Sequence, residues 1–170
     1  MLVLESEESR AHRGRRARSF LLGYGSAGDA YHLTAPRPDG AGLVKAIAEA
    51  LSDGGTSPDA VSFINAHGTG TTDNDRIESQ ALGKMLPGVP YFSTKGYTGH
   101  TLGAAGAIEA VFTAACLELG RIPGNIGFSV PDPEVCGIPV LEVTPVGGSV
   151  ALSESLAFGG NNAVVVLGIG

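Results

Sequence analysis

The chain has 170 residues, 43% of them hydrophobic, enough for one ordinary domain with a sizeable core and incompatible with a disordered composition. Its net charge is −6, and five of its eleven Lys+Arg residues (Arg10, Arg13, Arg15, Arg16, Arg18) fall in one short stretch, which excludes a general nucleic-acid surface. Two cysteines, Cys116 and Cys136, are too few for a disulfide framework and match no CxxC zinc spacing, so a reducing compartment, the cytoplasm, is expected.

In chain order, residues 1–4 are strand-like, as though the chain starts inside an element. The basic stretch 10–18 reads as a solvated surface loop, with docking of an acidic partner through charge complementarity as the alternative. Arg15-Arg16 ahead of Phe20-Leu21-Leu22 faintly resembles an export signal, but the apolar run stops at Gly23 and meets Asp29. Residues 19–24 form a strand, and 29–39, with Pro36 and Pro38, a loop. Leu43, Val44, Ile47 and Leu51 recur at helical spacing, which predicts a helix over 41–51. A strand follows at 61–65, and Ile77, Ala81, Leu82 and Met85 mark one face of a helix over 75–86. Residues 89–93 are strand-like, 94–101 a polar loop, and 103–119 a helix so apolar that it is expected to be buried. Its start, Gly103-Ala104-Ala105-Gly106-Ala107, has little side-chain bulk, which suggests close backbone packing there. Strands over 140–143, 150–152 and 164–169, with a turn at 158–162, complete an α/β chain with a largely buried sheet.

Several sites compete. Gly23-Tyr24-Gly25-Ser26-Ala27-Gly28 is a formal GxGxxG, but no helix opens on it and no acid ends a second strand, so it reads as a glycine-rich turn. A metal on His67, His100, Asp73, Asp75 and Glu78 lacks any ligand spacing, there is no GxSxG elbow, and neither cysteine has a neighbour that would activate its thiol. His67 and His100 each follow a strand among glycines and threonines. Either alone reads as a loop histidine satisfied by backbone. Together with Lys95 and Glu109 they form a constellation, because a carboxylate inside an apolar helix needs a partner and Lys95 is the obvious one. Two neutral imidazoles can donate two N–H bonds to one oxygen that gains negative charge. That suits an enolate and a Claisen-type condensation, provided some other residue holds the acyl group; the sequence contains none.

His67-Gly68-Thr69-Gly70-Thr71, Ser93-Thr94-Lys95 with Gly99-His100, Gly103-Ala104-Ala105-Gly106 with Glu109, and Phe158-Gly159-Gly160-Asn161-Asn162 occur in the order and spacing of the β-ketoacyl-acyl carrier protein synthases. Over residues 1–170 the chain resembles the C-terminal half of the elongating, Cys-His-His type. The resemblance implies a thiolase-like fold, one half of a five-layer αβαβα body, with the nucleophilic cysteine in an N-terminal half that this single half-domain lacks. It implies that His67 and His100 bind the malonyl thioester carbonyl and stabilise the enolate, that Lys95 orders the site and that Glu109 pairs with it. Thr69 and Thr71 would bond the phosphopantetheine arm of acyl carrier protein, the substrate carrier, with no bound cofactor. Phe158, with Gly159, would gate the acyl pocket, the Phe158 backbone N–H joining the oxyanion hole. Some relatives bind a structural monovalent cation, and the matching positions are Asn65, Glu78, Glu109, Ser153 and Glu154, the last standing where asparagine is common. The function implied is decarboxylative condensation of an acyl thioester with malonyl-carrier protein in fatty acid or polyketide assembly. The complete enzyme would be a cytoplasmic homodimer without a membrane span, and this chain would be inactive alone, with an exposed apolar face. The alternative is a non-catalytic partner or chain-length-setting subunit of a ketosynthase heterodimer.

Overall fold

A five-stranded mixed sheet, in the order β1-β7-β6-β2-β3, organises the chain in the computed structural model, which describes residues 2–170. Its strands are β1 (Ser19–Gly28), β2 (Val61–Asn65), β3 (Tyr91–Phe92), β6 (Val150–Ala157) and β7 (Asn161–Ile169). β7 runs antiparallel to both of its neighbours, β1 and β6, and β6, β2 and β3 run parallel to one another. Helices α2 (Ala41–Asp53) and α3 (Thr72–Met85) cover one face and α5 (Ala105–Leu119) the other; a short α4 (Lys95–Thr98) precedes α5. A two-stranded β4 (Arg121–Ile122) and β5 (Thr144–Pro145) lies apart from the main sheet.

The period-2 alternation of the strands divides the core into two. Ile64, Leu152, Val164 and Val166 meet Leu43, Ile47 and Leu82 of α2 and α3. Phe63, Phe92, Ala151 and Leu167 meet Cys116 and Leu117 of α5, with the Phe63 and Phe92 rings 6.1 Å apart. These are the helices and strands that the apolar spacing predicts, and α3 begins three residues earlier than expected because Asp73 and Asp75 suit a helix's first turn.

Five expectations are corrected. Residues 2–4 form no strand and are exposed; Met1 lies outside the described residues. Ser6 caps a short α1 (Glu7–His12), so part of the basic stretch is helical, and Arg10, Arg13 and Arg18 are ion-paired with Glu7, Glu5 and Glu118. The glycine-rich segment 23–28 is strand rather than turn. Its glycines serve close packing: a Cβ on Gly25 would collide with the Ala46 carbonyl and Ala50 amide of α2, and one on Gly23 with the Gly54 amide. Residues 140–143 follow Pro139 as an irregular segment, in which Val140 bonds Tyr91 and Asn125 but Leu141 and Val143 stay exposed. Helix α5 buries only one side, leaving Val111, Phe112 and Leu119 exposed, and Gly103 faces open space.

Candidate active site

The ends of β2 and β3 carry the site. The loop after β2 turns at Gly68, whose φ of +45° favours glycine and whose Cβ position would lie 2.5 Å from that of Ser93. Glu78, one face of α3 away, reaches back to this loop and accepts from the His67 N–H at 2.6 Å, the Gly68 N–H at 2.8 Å and Asn74 Nδ2 at 3.1 Å. Ser93 closes the other side: its hydroxyl donates to the Gly68 carbonyl at 3.2 Å, and its own amide donates to Asn125 Oδ1 at 2.9 Å.

So held, the His67 and His100 rings meet edge to face with centroids 5.4 Å apart. His67 is buried, its Nδ1 has no protein partner, and burial, followed by the nearby Lys95 charge and His100, pushes its pKa down to about 3. It is therefore neutral at ordinary pH. His100 Nδ1 accepts the Leu102 N–H at 3.3 Å, which leaves the proton of a neutral ring on Nε2, free to donate. Leu102 makes that bond from a left-handed backbone, φ +51°, a conformation that costs a leucine on the order of 1 kcal/mol and is commonest where function holds it. Beside the rings, Lys95 Nζ bonds Glu109 Oε1, and both side chains are buried.

The geometry thus brings together His67, His100, Lys95 and Glu109. Thr69 and Thr71 lie on the same loop with their hydroxyls 3.0 Å apart. A cavity of about 570 Å³ opens beside them, lined by Thr69, Lys95, His100, Leu82, Ile126 and Phe128 among others. Phe158 stands apart from that cavity, 78% exposed at the tip of the β6–β7 hairpin, and the Gly159 N–H is spent on the Leu33 carbonyl at 2.7 Å.

The five cation positions do not converge. Asn65 and Ser153 are register partners on adjacent strands, and Asn65 bonds the Glu109 carbonyl and Thr113 on the α5 side. Glu154, one residue on, points to the opposite face with Glu78. The sheet separates these side chains, and among the described residues no three acid, histidine or cysteine groups gather as a metal site. As side chains alone, the five positions therefore do not gather into one shell. What the sequence reading missed is the part played by Glu78, Asn74 and Asn125 in holding the loops. The i, i+4 pair Asn74 and Glu78, on the same helical face as Ile77 and Ala81, is the signal that could have found two of them.

Residues 18–129 match the family profile of the β-ketoacyl synthase C-terminal domain. The chain is 43% identical, over 97% of its length, to a 3-oxoacyl-[acyl-carrier-protein] synthase 2 of Synechocystis, and spans 41% of that relative's length. Among solved structures, the ishigamide ketosynthase/chain length factor superposes with a TM-score of 0.89 at 36% identity, over 98% of this chain and 41% of the other. A type II polyketide synthase acyl-carrier protein in complex with its ketosynthase gives 0.89 at 35% identity, over 98% and 42%. The mixed sheet flanked by α2, α3 and α5 is accordingly a thiolase-like arrangement. The chain belongs to the β-ketoacyl synthase family, as a C-terminal domain of it.

Proposed function

We propose that the chain supplies the enolate-binding half of a β-ketoacyl-acyl carrier protein synthase. The observation that carries this reading is the pair of imidazoles, edge to face at 5.4 Å, with His67 kept neutral by its surroundings. A malonyl thioester, delivered on the phosphopantetheine arm of acyl carrier protein along Thr69 and Thr71, places its carbonyl oxygen where both rings donate N–H bonds. Loss of carbon dioxide leaves the electron pair of the broken C–C bond on the α-carbon, delocalised onto that oxygen, where two preorganised donors stabilise the growing charge. The α-carbon then attacks the acyl thioester carbonyl on a cysteine of a complementary half, the C–S bond breaks, and the cysteine leaves as thiolate. Lys95, fixed by Glu109, supplies positive potential without taking part in proton transfer. Phe158 gates the acyl group only when the complementary half covers the hairpin tip. Arg15 and Arg16, exposed and in no ion pair among the described residues, suit the approach of an acidic carrier protein in the cytoplasm.

The test is to mix this chain with a separately expressed, cysteine-bearing half and assay condensation of acyl- and malonyl-carrier protein. His67→Ala should lower the rate by a factor of about 100–1,000, the usual effect of removing one oxyanion donor. An unchanged rate would refute the role. A chain-length-setting subunit is the second reading, favoured by the presence of a chain length factor in one similar structure. Retention of His67, His100 and Lys95 favours the catalytic one, since a length-setting subunit needs no enolate site. Co-elution with a complete synthase, together with no condensation when the chain is mixed with the cysteine-bearing half, would support the second.

A further inference from the structure

The two imidazoles stand on loops that leave neighbouring strands, and the ladder between those strands is short. β2 and β3 share two register pairs, Ile64 with Tyr91 and Asn65 with Phe92, and their last bond runs from the Ala66 N–H to the Phe92 carbonyl at 2.8 Å. Beyond that point the sheet fixes neither loop. Among the described residues, the hydrogen bonds that join residues 66–71 to residues 93–101 all come from the Ser93 hydroxyl, which donates to the Gly68 carbonyl at 3.2 Å with the His67 carbonyl at 3.4 Å. The same oxygen accepts the Lys95 N–H at 3.3 Å. One hydroxyl therefore bridges the His67 loop to the start of α4. The turn of α4 carries that position on to His100, since the Gly99 N–H bonds the Lys95 carbonyl at 2.9 Å.

Ser93 is itself pinned from outside. β3 is an edge strand, so on its open side the Tyr91 carbonyl and the Ser93 N–H have no ladder partner. The Val140 N–H meets the first at 3.0 Å, Asn125 Oδ1 accepts from the second at 2.9 Å, and the Asn125 N–H donates to the Val140 carbonyl at 2.7 Å. Asn125 and Val140 thus stand in for the missing strand. The segment around Asn125 also presses on α4: a Cβ on Gly96 would lie 2.6 Å from the Ile126 carbonyl oxygen, and the Tyr97 hydroxyl donates to the Gly124 carbonyl.

We propose that Ser93 and Asn125 are positioning residues for His67 and His100: Asn125 fixes Ser93 at the open edge of β3, and the Ser93 hydroxyl clips one histidine loop to the other. Their part is to set the spacing of the two donors before charge develops between them. The effect on rate rests on the reaction proposed above; the clip between the loops does not.

The two are read separately. In the whole 170-residue chain the Ser93 and Lys95 amides should resist hydrogen exchange although β3 is an edge. Ser93→Ala should speed exchange at Lys95 about tenfold, Asn125→Ala should speed it at both amides, and Asn125→Asp, which keeps the accepting oxygen, should restore protection. In the mixture with the cysteine-bearing half, Ser93→Ala and Asn125→Ala should lower kcat by a factor of about 10–100, as displaced catalytic groups do, with KM for malonyl-carrier protein within about twofold, and Asn125→Asp should recover most of the rate. A lower unfolding midpoint with kcat unchanged would make both residues merely structural and overturn the proposal. So would fast exchange at Ser93 in the unaltered chain, a result that needs no variant to fold. An inactive mixture of unaltered halves would refute the assigned reaction instead, and exchange at Lys95 in Ser93→Ala would then decide the clip: faster exchange supports it and no change overturns it.

Discussion

Lys95 and Glu109 are the residues whose meeting sequence reasoning could anticipate, because an acid inside an otherwise apolar helix must find a counter-charge. The structure forms that contact with both side chains nearly out of solvent, 6% and 3% exposed. Removing one member of such a pair costs more than removing both, since a single buried charge is left without compensation. Lys95→Met should therefore destabilise the chain by about 3–5 kcal/mol, and Lys95→Met combined with Glu109→Gln should recover most of that loss in urea unfolding. A double variant no more stable than the single would show that the pair is not the source of the cost. Glu154 was harder to read. In sequence it is one polar residue in a Ser-Glu-Ser run, and only the register of β6 decides which face, and hence which neighbour, it meets.

At the level of elements, the strands and helices with clear apolar spacing were legible: β2 and α2 fall within a residue or two of their predicted bounds. What was not legible had its cause elsewhere in the chain. Glycines 23, 25 and 28 look like a turn, yet the first two are small because α2, about twenty residues on, lies directly against them. Gly25→Ala should consequently cost about 1–3 kcal/mol by overpacking, while Gly28→Ala, with nothing within 4 Å of the new methyl, should change stability by less than about 0.5 kcal/mol. Equal effects in thermal melts would mean that β1 and α2 are less tightly seated than described. The irregular segment 140–143 is a second instance: its valines suggested a strand, but the main sheet already ends at β3, and Val140 alone pairs back to it, through Tyr91.

For the whole molecule, the sequence arithmetic of one self-sufficient domain gives way to a body with one unfinished side. The segment Leu102–Leu119, a short turn continued by helix α5, is long and apolar enough to cross a bilayer by composition, but Glu109 and Thr113 fasten α5 to the sheet and its outer face stays open. Leu102 at 76%, Val111 at 53% and Leu119 at 63% exposure leave large apolar side chains along this segment in solvent. The chain by itself should self-associate with rising concentration in light scattering and bind an apolar dye. Val111→Lys with Phe112→Glu should reduce both, and a monomer with no dye binding would contradict the account. The pairing of β1 with β7, Ser19 opposite Ile169, has a separate consequence for how the fold forms. The edge strand β1 gains its hydrogen-bonded neighbour only once the roughly 130 residues between Gly28 and Asn161 are looped back, a strongly non-local step. Until then α2 has only a partial sheet to cover, so misassembly competes with folding over that interval, and shortening β7 by a few residues would leave the edge of β1 unpaired for good.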